Sequence, residues 1–194
     1  FKSRLQSLPA FTGGPLILPA TAEVIAGFVA AAQAAPEDLT TIAMVMPAPP
    51  LPFIPAEMHG RLVLMGMMAF AGDAEAAQPA LAPFRALATP IADLVGPAPY
   101  ASMYLPEEAG PPPCHSVRSR FVETLDAAAA QRLLDTLGAC DAPMKMAQIR
   151  VLGGAMARVS ADATAFAHRT SPIMLALIAI YGGGPDVVAA QDRW

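Results

Sequence analysis

Residues 144–152 read MKMAQIRVL. In an extended chain, successive side chains point to opposite faces of a sheet. The odd positions Ala147, Ile149 and Val151 are apolar, whereas the even positions Gln148 and Arg150 are polar. The alternation predicts a strand that turns Ala147, Ile149 and Val151 toward helices and turns Gln148 and Arg150 the other way. That second face is open to two readings. It is the wall of a ligand cavity or of a domain interface, or it is a solvated surface with two ordinary polar residues.

The composition around this strand is lopsided. Hydrophobic residues make up 55% of the 194 and charged residues 14%, against about 25% charged in ordinary soluble domains. The length suits one domain, or one domain with an extension, and lets folding bury roughly 70% of the surface of the unfolded chain. A chain this poor in charge hides much of its outside or adheres to something. A membrane is not indicated: the longest apolar run, Ile173–Tyr181, has nine residues, whereas a spanning helix needs about 20. Such a run suits a strand buried on both faces. The net charge of −4 and the absence of a basic block speak against nucleic acid. No secretory leader pattern opens the chain, and Phe1 is not an initiator Met, so the true start is expected upstream. Cys114 and Cys140 have neither metal-site nor disulfide-framework spacing. They read as plain buried or half-buried thiols in a reducing, cytoplasmic compartment.

Along the chain, Phe1–Leu8 and Leu16–Leu18 read as strands. Thr21 is an N-cap, followed by a helical stripe of Val24, Ile25, Phe28, Val29 and Ala32 that stops at Ala35-Pro36. Thr40–Met46 and Leu62–Phe70 are apolar strands, the second with Gly66 inside, joined by a Pro-rich loop. Asp73 caps a helix running to about Leu87 that Pro79 and Pro83 shorten or bend. Residues 88–113 form a Pro-rich loop anchored by Tyr100, Met103 and Tyr104. His115–Val122 is a strand. Asp126 caps a helix whose Ala130, Leu133, Leu134 and Leu137 share a face, and Gly138 ends it. Ile173–Tyr181 is the last strand, with a short helix starting near Asp186. No internal repeat is visible. Strands in small groups with helices between them predict an α+β fold: one mainly antiparallel sheet with helices packed on one face.

The sequence lacks phosphate-binding, dinucleotide, nucleophile-elbow and zinc-protease motifs. Gly13-Gly14 and Gly182–Gly184 read as turns. His59, His115 and His168 are too scattered for a metal site, and Glu107-Glu108 reads as a solvated loop. Gly153-Gly154, directly after a strand, suggests a bulge or a close backbone approach. Arg169, beside Phe166 and His168, either pins its loop or reaches a ligand, with pinning the ordinary case.

The segment 153–169, GGAMARVSADATAFAHR, resembles the Gly-Gly-Ala…Ala-Phe-x-His-Arg signature of FAD-linked oxidases of the berberine bridge enzyme-like group, within the vanillyl-alcohol-oxidase superfamily. PFIPAEMHG (52–60), FAGDAEAA (70–77), LAPFRAL (81–87), PIADLVGPAPY (90–100) and RSRFVETLDAAA (118–129) are similar to successive stretches of the same region. Each is weak alone; their order and spacing carry the likeness over nearly the whole chain. The resemblance implies that residues 1–194 are the substrate-binding domain of a larger flavoenzyme. Its sheet would roof the flavin ring, with FAD held mainly by a flavin-binding domain of the same parent chain, outside this sequence. It further implies that Gln148, Arg150, Arg118 and Tyr100 position a small-molecule substrate. Gly153, Gly154, His168 and Arg169 would shape the site beside the cofactor, and neither Cys maps onto a flavin attachment point. The strand 173–181, apolar until Tyr181, departs from relatives with a polar or aromatic residue mid-strand and favours an apolar or secondary-metabolite-like substrate over a sugar. The reading from the residues alone allows a different class: a stand-alone, ferredoxin-like binding or dimerisation module for a small apolar ligand.

Overall fold

The computed structural model describes residues 8, 10–103, 114–181 and 189. The expected strand 1–8, apart from Leu8, and the start of the helix near Asp186 lie outside them, as do Tyr104, Glu107-Glu108 and Gly182–Gly184. The strands are β1 (Thr12–Pro19), β2 (Leu39–Pro47), β3 (Leu62–Phe70), β4 (Ala92–Asp93), β5 (Gly96–Pro97), β6 (Cys114–Val122), β7 (Met144–Val151) and β8 (Ile173–Tyr181). The helices are α1 (Ala22–Ala34), α2 (Ala74–Arg85), α3 (Ala127–Ala139) and a single turn, α4 (Gly154–Ala157). All pairings are antiparallel, in the order β4-β1-β3-β2-β7-β8-β6, with β5 also on β1. This is the predicted α+β class.

The topology contains a duplication that the sequence does not display. In β1-α1-β2-β3 the helix crosses over and β3 returns between β1 and β2; in β6-α3-β7-β8 the helix crosses over and β8 returns between β6 and β7. The two β-α-β-β units join edge to edge through β2 and β7, with α1 packed on α3. Only the hydrophobic pattern has to recur for such a unit to form, so sequence identity between the halves is not required.

The core lies between the sheet and the helices. Ile25, Phe28 and Val29 of α1, Leu81 and Phe84 of α2, and Leu133 and Leu137 of α3 pack on Leu16, Leu18, Val45, Leu64, Met68, Ala147 and Ile149. Thr21, Asp73 and Asp126 cap their helices, each side-chain oxygen accepting a backbone N–H of the first turn. Pro79 and Pro83 are accommodated within α2, which ends two residues short of Leu87. Gly138 lies inside α3, and Cys140 is the C-cap.

Gly13 and Gly14 are not a turn; both sit in β1. Gly14 has φ +142°, and a Cβ there would stand 2.4 Å from the Leu94 carbonyl oxygen. The β4–β5 ribbon crosses too closely for any side chain, so glycine here serves close backbone approach. Strand β8 is also not buried on both faces. Ile173, Ala176, Ala179 and Tyr181 are buried, whereas Met174, Ile178 and Ile180 are half-buried. Cys140, the expected buried cysteine, is 3% exposed at the end of α3. Among the described residues, no helix is long and apolar enough to cross a membrane, and no cluster of metal-ligating side chains occurs.

Candidate functional site

The face of the sheet turned away from the helices is uncovered over its middle. Residues paired across antiparallel strands share a face, so the register maps it. One row runs Ile17–Met65–Met44–Gln148–Ala176–Ser119. On one side of it lies Arg150–Met174–Phe121, and on the other Met146–Ile178–Val117. Ala147 and Ile149 are buried against the helices, at 0% and 2% exposure, and Val151 packs at the edge of the same core. Gln148 and Arg150 are therefore on the open face, as the alternation predicts.

Three Met-x-Met pairs, Met44/Met46, Met65/Met67 and Met144/Met146, put methionines at every second position on three strands. This spacing was legible in the sequence and is the signal that names the open face; adaptable, polarisable thioethers suit an apolar contact surface. Arg150 is the sole charged side chain that the described strands place on it. Its Nε donates to Gln148 Oε1 at 3.0 Å. The Gln148 amide nitrogen and the Arg150 Nη nitrogens have no hydrogen-bond partner among the described residues.

Two loops overhang this face from opposite ends of the sheet. Residues 48–61 pack Ala48, Ile54 and Met58 on Ile17, Val63 and Met65. Residues 152–172 return over β6, where His168 stacks on Phe121 at a 4.0 Å centroid separation and 18°. Phe166 meets His168 edge-on at 5.9 Å. Arg169 holds the loop together: its Nη2 donates to Thr164 Oγ1 at 2.5 Å, its Nη1 to the Met156 carbonyl at 3.5 Å, and its guanidinium lies 5.1 Å from the Phe166 ring centre. Arg169 thus pins its loop, and no carboxylate is among these partners. Gly154, with φ +57°, turns the chain into α4. Arg158 then makes a two-pronged pair with Glu37, its Nη2 donating to Oε2 at 3.1 Å. The Arg158 hydrogen bonds hold the Glu37 carboxyl below its ordinary value. Gly153, Gly154 and Met156 line a groove of about 600 Å³ with Glu37, Thr40 and Val151, at the sheet end beside Arg150.

The predicted positioning residues do not all converge. The register pairs Arg118 with Leu177, and Leu177 with Ala147, so Arg118 belongs to the helix-side face of edge strand β6, opposite Gln148 and Arg150. Phe121, three residues on, occupies the open face instead. A likeness of local sequence carries no parity, and one step along a strand exchanges faces. Tyr100 is half exposed beyond the Thr12 end of β1, its ring edge-on to Phe11 at 5.3 Å. It is separated from β7 by β1, β3 and β2, and so stands apart from the Gln148–Arg150 pair.

No family profile matches the chain, and no curated protein does. Solved structures do. Aclacinomycin oxidoreductase aligns over 97% of this chain with TM-score 0.73 and 17% identity. The grass pollen allergen Phl p 4, with glucose dehydrogenase activity, aligns over 96% with TM-score 0.70 and 14% identity. Berberine bridge enzyme from Eschscholzia californica aligns over 95% with TM-score 0.63 and 13% identity. The chain spans 38–40% of the length of these proteins. At such identity the likeness is one of fold, and it is the fold that the resemblance to FAD-linked oxidases implied.

Proposed function

We propose that this chain is the substrate-binding portion of an FAD-dependent oxidoreductase, its methionine-rich face lying over a flavin ring held mainly by polypeptide outside the sequence. The observation that carries this reading is the open face itself: a broad surface dominated by Met, Ile and Ala side chains, on which Arg150, bonded to Gln148, is the sole charge that the described strands supply. An apolar expanse this large marks an interaction surface. The residues present suit a flat ring system: Met44, Met65 and Met67 offer conformable apolar contact. They do not suit a pyrophosphate, because no glycine-rich phosphate loop occurs in the sequence, so those parts of FAD fall to the rest of the protein. The fold shared with three oxidoreductases supports the same reading.

When bound, the flavin would supply the acceptor for a hydride from a substrate C–H of the alcohol or amine type. This chain orients and dries the site. Gln148 offers its amide N–H groups and Arg150 its terminal N–H groups to substrate oxygens, while the methionines and the Phe121–His168 stack exclude water. The loop 152–172, pinned by Arg169 and latched to Glu37 by Arg158, fixes where that stack stands. Purifying the protein from its complete reading frame tests the proposal: the expected product is yellow, with the visible absorption of an oxidised flavin. A folded, colourless protein that takes up no added FAD, and sizes as a dimer through this face, would replace it with a ligand-binding or dimerisation module.

A further inference from the structure

Among the described residues, no carboxylate pairs with Arg150. Acidic side chains are absent from the strand residues of the open face, and the nearest polar partner, Gln148, is neutral. The other strand cations are directed elsewhere. Arg118 and Arg120 share the opposite face of β6 with Val122, and Lys145 donates to the Cys140 carbonyl on the helix side. In an exposed sheet such a guanidinium would be solvated. Covered, as the proposed function requires, it loses its water, and a desolvated cation without a counter-charge is strongly unfavourable. Gln148 Oε1 engages only Nε. That bond turns the fork, leaving both terminal nitrogens to face a partner, and two parallel N–H groups match a carboxylate.

Apolar surface surrounds this fork. Met174 and then Phe121 follow Arg150 across β8 and β6, and the His168 ring lies stacked on Phe121. At the strand spacing of about 4.8 Å, Phe121 stands roughly 10 Å from Arg150, which is the reach of a bicyclic aromatic acid. We infer that the substrate is an apolar, ring-containing molecule bearing an acidic group, its carboxylate seated on Arg150 and its ring system lying along Met174 toward the Phe121–His168 stack. This deepens the proposed function and rests on it, since it is the covering of the face that makes the counter-charge necessary.

The test uses the complete protein and two probes of one shape, naphthoate and its neutral amide, naphthamide, titrated by calorimetry and by perturbation of any flavin spectrum. Naphthoate is expected to bind at least about tenfold more tightly than naphthamide, the range for a charge-assisted pair. Arg150→Gln is expected to remove that preference while leaving flavin content unchanged, and Arg150→Lys to restore part of it. Equal binding of acid and amide, as when a carboxylate from elsewhere in the protein already occupies the fork, would overturn the inference. So would a preference that survives Arg150→Gln, or binding of neither probe. A protein without flavin is a separate outcome that refutes the cofactor assignment, and calorimetry distinguishes the two.

Discussion

Gly66 has no side chain because Phe28 occupies the space. It lies mid-strand in β3, paired to Leu16 on one side and Ala43 on the other. A Cβ there would stand 2.6 Å from Phe28 Cε2 and 2.9 Å from Cζ. Phe28 has nowhere to retreat: it is 1% exposed and lies against Phe84, 0% exposed, at a 4.9 Å centroid separation. Overpacking of this kind costs about 1–3 kcal/mol. Alanine returns roughly 0.5–1 kcal/mol through its lower backbone entropy, so Gly66→Ala should destabilise by a net of about 1–2 kcal/mol. Hydrogen exchange of the β3 amides in the complete protein reads this locally, and those amides should exchange roughly 5–30-fold faster. Phe28→Leu shortens the offending ring, so the double variant should lose about 1 kcal/mol less than the sum of the singles. Strict additivity, or a stabilised Gly66→Ala, would show that the glycine is there for another reason.

The sidedness of β7 predicts that Ile149→Ala, emptying a site 2% exposed beneath the helices, costs about 2–5 kcal/mol. Exposed Thr40→Ala should stay within about 0.5 kcal/mol, and similar losses at both would refute the assignment; urea titration followed by β-sheet circular dichroism measures both. The Glu37–Arg158 pair predicts a pH signature. Because the Arg158 hydrogen bonds lower the folded-state value of Glu37, any contribution from the pair is present above the ordinary carboxylate value and is lost as pH falls through the lowered one. A carboxyl-detected NMR titration should show the Glu37 midpoint below the usual range, and Arg158→Gln should move it back up; an unmoved midpoint would disprove the latch.

Local rules made much of this chain legible. The caps Thr21, Asp73 and Asp126 are written in single residues, because a side-chain oxygen beside a helix start satisfies an N–H whatever the tertiary context. The sidedness of β7 is written in alternation, because Ala147 and Ile149 can only be buried together on one face. The Met-x-Met pairs follow the same rule and mark the open face of three strands. Other features depended on distant segments. Whether Gly13-Gly14 turns or extends was decided by Leu94, some eighty residues on, whose carbonyl fills the space of a side chain at Gly14. Arg118 lost its place beside Gln148 to the register of β6 on β8, which no local motif encodes. The pairing of the two β-α-β-β units through β2 and β7, and the return of residues 152–172 that sets His168 on Phe121, are likewise tertiary. Which residues must hide from water is a local matter, since it follows from each side chain and its parity. Only the folded chain decided which strands are neighbours, and therefore which polar groups share a face, because pairing is a choice among distant partners that hydrophobic periodicity leaves degenerate.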